Sequence, residues 1–180
     1  MKLGPSPGQR WRCDMRRLVS VALIAIVASM LGSGIAGGAA PAKAFPKNAC
    51  KLLTASEVKA LIPDADAGTK KNEGVQGVKN ASCYWKSVSG TNLASLNVTV
   101  LSLGSSVPPG FAKLALQHET GAKKVSGIGS YAIYTSVINV DLNVKAVVGK
   151  LTLDVDYNAN SAQDQKGAVI KIAKAVAKRI

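Results

Sequence analysis

The chain is poor in the residues that usually carry catalysis. It has one histidine, three cysteines and eight aromatic residues in 180 positions. His118 stands alone, and Glu119, next to it in sequence, points elsewhere. Without a second histidine or a placed nucleophile, no acid–base pair or triad can be assembled. His118 reads instead as a surface or helix-terminal side chain. No C-x-x-C spacing occurs and no histidine lies near a cysteine, which removes the common redox and zinc patterns. Asp154-Val155-Asp156 sets two carboxylates on one strand face, but no third oxygen ligand accompanies them. Gly127-Ile128-Gly129 lacks the third glycine and the following helix of a phosphate loop. No catalytic residue, no metal and no cofactor is therefore expected. An extracytoplasmic hydrolase is the least supported class.

Long apolar runs are also missing. Leu18 to Leu31 is shorter than the ~20 residues that span a bilayer comfortably. It follows a basic start (Arg10, Arg12, Arg16, Arg17) and precedes small residues ending in Ala42-Lys43-Ala44. That order predicts a signal peptide over residues 1–44, cleaved between Ala44 and Phe45. A retained signal anchor is the alternative, and Met15 is an alternative start. Arg16-Arg17 has poor flanks for a twin-arginine signal. No cysteine stands at a lipidation position after the run, since the next is Cys50. The expected product is a single exported domain over 45–180, secreted or associated with the cell wall.

Arginine is scarce in that domain, Arg179 being the only one. Residues 45–180 hold 17 basic residues against nine acidic ones, a net charge of +8 carried by lysine. Lysine-rich surfaces favour anionic surroundings such as head groups and acidic wall polymers. Nucleic acid is not the expected partner, because export separates the two and arginine is the preferred fork for phosphates and bases.

What is present reads as a small α+β domain. Cys13 lies in the leader, so Cys50 and Cys83 remain as a pair in an oxidising compartment, where a disulfide is the default. The bridge would close a loop of about 34 residues and add roughly 3–4 kcal/mol in the chain-entropy model. Thr54-Ala55-Ser56-Glu57 is a capping box, Val58, Leu61 and Ile62 form an apolar stripe, and Pro63 ends the helix. Cys83 lies in a run suited to a strand, so the bridge is expected to staple this helix to a sheet.

Residues 64–80 read as a long connection with room for one short edge strand. Ser82–Val88 and Leu93–Leu103 are expected strands, Phe111–Glu119 a short helix, and Tyr131–Tyr134 the core of a third strand. The clearest hairpin is Val140–Val148 and Leu151–Tyr157 around Gly149-Lys150, whose glycine suits a type II′ turn. That loop sets Val144 opposite Val155 and Lys145 opposite Asp154, as a charge pair on the wet face. Ser161 or Asp164 would cap a last helix with Val169, Ile172, Ala173 and Val176 on one side. Lys166, Lys171, Lys174 and Lys178 lie on the other and are candidate contacts to an anionic surface. Such a helix could lie on a membrane, but it has no Trp or Phe anchor. The sequons at Asn80 and Asn97 matter only in a eukaryotic secretory pathway.

The expected architecture is an antiparallel sheet with helices on one face, in the order helix, strands, helix, strands, helix. Cys50-Lys-Leu-Leu-Thr-x-x-Glu-Val58, Cys83-Tyr-Trp85, Gly127-Ile-Gly-x-x-Ala132, the late hairpin and the alanine-rich terminal helix resemble a known group. They are similar to the actinobacterial envelope proteins called domain of unknown function 3558, over nearly all of 48–180. The resemblance implies export, the Cys50–Cys83 bridge and a binding role without an enzymatic one. It supplies no site, and the missing lipidation cysteine departs from many members. The partner is then an envelope ligand or protein of anionic character, with membrane contact as an alternative and no span in the mature form.

Overall fold

The computed structural model describes residues 44–71, 78–89, 93–104, 107–108 and 110–180. The expected leader lies outside the described residues apart from Ala44, which is exposed next to a half-buried Phe45. The elements run α1 (Ala55–Lys59), β1 (Thr69–Lys71), β2 (Lys79–Lys86), β3 (Ser95–Ser102), α2 (Phe111–Gln117) and β4 (Lys123–Lys124). They continue through β5 (Tyr131–Val137), β6 (Asp141–Val148), β7 (Leu151–Asn158) and α3 (Lys166–Arg179). Short 3-10 turns at Ala49–Leu52 and Ala162–Gln165 precede α1 and α3. The fold is α+β.

All seven strands form one antiparallel sheet in the order β1-β2-β3-β7-β6-β5-β4. Two meanders, β1–β3 and β4–β7, therefore meet along the β3–β7 pair. Alternation builds the core face: Leu96, Val98 and Val100 are fully buried, while Asn97 and Thr99 between them face the other way. Cys83, Val98, Val155 and Val144 make one buried row across four strands. Onto this face α3 lays Val169, Ile172, Ala173 and Val176, and α1 adds Val58, with Leu61 and Ile62 following it. Full burial of each large aliphatic side chain is worth about 1.5–3 kcal/mol, so this layer supplies most of the stabilisation.

The β6–β7 register is the one that the two-residue loop dictates, with Val144 opposite Val155 and Lys145 opposite Asp154. Gly149 takes φ 60° while Lys150 stays outside the left-handed region, as a type II′ turn requires. The charge pair expected there is not formed. Lys145 donates instead to Glu119 at 2.6 Å, and Asp154 accepts from Asn143 Nδ2 at 2.7 Å.

Glu119 follows α2, and this contact exposes a second correction: the helices do not share one face. Ile133 lies opposite Lys145, hence on the outer face, yet it is 2% exposed. α2 packs against β5 and β6 over this spot. Adjacent Ala132 and Ile133 are both buried, so β5 needs cover on both sides. The short β4, not expected from the sequence, closes the far edge. Neither Ser161 nor Asp164 caps α3; it continues from the second 3-10 turn without a side-chain cap. Both sheet edges are very short and carry lysines, Lys70 and Lys71 in β1 and Lys123 and Lys124 in β4, which discourages edge-to-edge pairing.

Candidate functional site

The cysteine staple comes first along the chain. Asn48 Oδ1 accepts from the Cys50 amide at 2.9 Å and opens the 3-10 turn. Cys50 is bonded to Cys83, with the Cα atoms 5.0 Å apart. Two residues past this turn the capping box closes: Glu57 N–H donates to Thr54 Oγ1 at 3.3 Å, and Thr54 N–H donates to Glu57 Oε2 at 2.8 Å. The bridge thus fastens the start of α1 to the second strand of the sheet. Its role is structural.

The outer face of β2, β3, β7 and β6 carries a polar lattice. Ser82 Oγ donates to Asn97 Oδ1 at 3.1 Å and lies 3.0 Å from Thr99 Oγ1. Asn158 Nδ2 donates to Asp156 Oδ1 at 2.9 Å. Burial, then the neighbouring Asp141, pushes the Asp156 carboxyl up to about 7. Burial also raises Asp154. These carboxyl groups hydrogen-bond to asparagines, and among the described residues no three His, Cys, Asp or Glu side chains gather to hold a metal. His118 is exposed at the end of α2, away from any nucleophile–base geometry given by the hydrogen bonds.

The Gly127-Ile128-Gly129 fragment has a packing explanation. Ile128 is buried, and a Cβ on Gly129 would lie 2.0 Å from the Val147 carbonyl oxygen. Gly129 lets the loop approach the β6 backbone. The sequon residue Asn80 stands in β2, and Asn97 in β3 accepts from Ser82.

The lysines of α3 are split by their surroundings. Lys166 donates to Tyr134 Oη at 2.7 Å and sits 3.9 Å from the ring centroid. Lys174 lies against Gly127, while Lys171 and Lys178 are exposed. Sequence reasoning missed Tyr134 as the partner of Lys166 and Lys123 as the cross-strand neighbour of Tyr134, because the second depends on the two-residue β4. Lys145 pairs with Glu119, and Arg179 with Glu57.

A cleft of about 380 Å³ runs between the start of α2 and the β6–β7 turn and is walled by Val107, Pro108, Ala112, Val147 and Leu151. Its titratable lining residues among the described ones are Lys113 and Lys150. No helix among the described residues is long and apolar enough to cross a membrane. No protein-family model, curated protein or solved structure matches the chain.

Proposed function

We propose that the chain is an exported, cell-envelope-associated binding domain, without catalysis, whose lysine surface engages an anionic partner. The observation that carries this is where the acids go. Glu57 belongs to a helix cap and to Arg179, and Asp64 accepts from Ser87 and Ser89. Asp66 accepts from the Gly68 and Lys86 amides, Glu119 takes Lys145, and Asp154 and Asp156 take asparagines. Internal hydrogen bonds thus engage six of the nine acids of 45–180, while most of its lysines are exposed. The resemblance to the envelope family, which rests on its motifs alone, agrees with export and with a binding role.

Membrane association through α3 is the second reading. Its apolar stripe is turned into the sheet, which leaves lysines rather than an apolar face for such contact. A hydrolase finds its one support in the raised carboxyl of Asp156. That residue does not line the cleft between α2 and the β6–β7 turn.

The deciding experiment measures the exported protein by intact mass, then by retention on an anionic matrix against salt. A chain starting at Phe45, with two thiols labelled only after reduction and salt-sensitive retention, is the expected outcome. A chain that keeps its leader, or flows through at low salt, would overturn the proposal.

A further inference from the structure

Lys123 and Lys166 meet at Tyr134, where α3 lies against the β4–β5 pair, and Lys174 lies further along α3. Lys123 stands directly opposite Tyr134 in the β4–β5 pair. Lys166 donates to the Tyr134 hydroxyl at 2.7 Å. Lys174, about two turns further along α3, has its ammonium 3.6 Å from where a Cβ on Gly127 would be. Lys166, which donates to the phenol oxygen, draws the Tyr134 pKa below the usual phenol range against the opposing effect of burial, and Lys123 adds to the pull. None of the three lysines has a carboxylate within ion-pair distance among the described residues.

Like charges held side by side repel, and the repulsion is relieved when a shared anion arrives. The donor set decides which anion fits. Two ammonium groups are point charges with three donors each, and the phenol beside them adds an O–H. Donors spread around one point match the several oxygens of a tetrahedral phosphoryl group. A planar carboxylate is better met by a guanidinium fork, and Arg179 is engaged with Glu57.

We propose that Lys123, Tyr134 and Lys166 bind a phosphoryl group, with Lys174 extending the site along α3. This rests on the anionic-partner reading above and names its site and ligand chemistry. The phosphoryl group comes either from a soluble phosphate or phosphate ester or from a lipid head group.

The test titrates the exported protein with inorganic phosphate and with glycerol phosphate, following amide shifts of residues 123–134 and 166–174. Sedimentation with phosphatidylglycerol and phosphatidylcholine vesicles runs in parallel. The variants are Lys123→Gln/Lys166→Gln, Tyr134→Phe, and Lys70→Gln/Lys71→Gln as an equal charge change at the opposite edge, each checked by thermal melting. The expected result is a loss of about tenfold or more in the first variant, a smaller loss in Tyr134→Phe, and near-native binding in the Lys70/Lys71 control. Competition of glycerol phosphate with vesicles for the same residues supports the site with a lipid source; binding of the soluble ligands alone supports it with a soluble one. Equal losses at both edges overturn the site while leaving the anionic-partner reading intact. Absence of binding to every anionic probe overturns both.

Discussion

Arg179 grips Glu57 with both fork nitrogens, Nη1 to Oε2 and Nη2 to Oε1, each at 2.8 Å. Glu57 Oε2 also accepts from the Thr54 amide at 2.8 Å, so one carboxylate closes the capping box of α1 and receives the end of α3. The same guanidinium donates to the Leu52 carbonyl in the turn that holds Cys50. One arginine, one glutamate and one disulfide therefore tie the first and last helices to the sheet.

Arg179→Lys keeps the charge and loses the fork. The pair is partly solvent-screened, so the expected cost is about 0.5–1 kcal/mol. Glu57→Ala removes the cap as well and should cost about 1–2 kcal/mol. Urea unfolding of both variants reads the difference. A lysine variant as stable as the parent would mean that the paired geometry adds nothing beyond proximity of charge.

Cys83 is fully buried and Cys50 half-buried, so only the Cys50 side of the bridge meets solvent. Thiol reagents should label neither cysteine until reductant is added. Replacing both cysteines with alanine should cost roughly 3–4 kcal/mol through the longer reach of the unfolded chain. Rapid labelling of the folded, unreduced protein would show that the pair is not bonded in solution.

Two sets of carboxyl groups give the stability an acidic optimum. Arg179 holds Glu57 at about 2, below its ordinary 4.5, and the Ser89 and Ser87 contacts hold Asp64 at about 2, below its ordinary 3.8. Both contribute stability above their ordinary values and lose it as pH falls toward 2. Asp156 has the opposite sign. Its carboxyl sits at about 7 instead of 3.8, so between those values the folded state keeps a proton that the unfolded chain releases. Raising the pH from about 4 to 7 therefore removes stability. The melting temperature should be highest near pH 4–5 and fall toward neutrality. Asp156→Asn should flatten the upper limb and raise the melting temperature at pH 7.5. A wild-type profile that is flat from pH 5 to 7.5 would count against the raised carboxyl of Asp156.

Local rules made part of this fold legible and long-range contacts hid the rest. The β6–β7 register follows from one glycine and two alternating runs, and the α3 stripe from its spacing, so both could be read directly. The Cys50–Cys83 bridge followed from the cysteine count and the compartment expected from the leader. The face of α2 could not be read, because that helix buries no residue of its own and its place is set by Ile133, a side chain from another element. The Tyr134 cluster was hidden for a related reason. Lys123 and Lys166 lie 43 positions apart in sequence, and only the two-residue β4 brings the first of them to the phenol.

Ile138 supplies the last prediction. It takes φ 38° and Asn139 takes φ 57°, while Val140 N–H donates to the Val137 carbonyl at 3.1 Å. Those values put both central residues of the Val137–Val140 turn in the left-handed region, which favours asparagine and glycine. Asn139 fits, but a β-branched side chain crowds its own backbone there, at a cost of about 1–2 kcal/mol. Burial gives nothing back, because Ile138 is 86% exposed. Ile138→Asn should therefore raise stability by about 1 kcal/mol, with the urea dependence unchanged, whereas Asn139→Ile should lower it by a similar amount. If Ile138→Asn instead destabilises the domain, the isoleucine makes a contact in solution that outweighs its backbone strain, and the turn would have to be assigned a packing role.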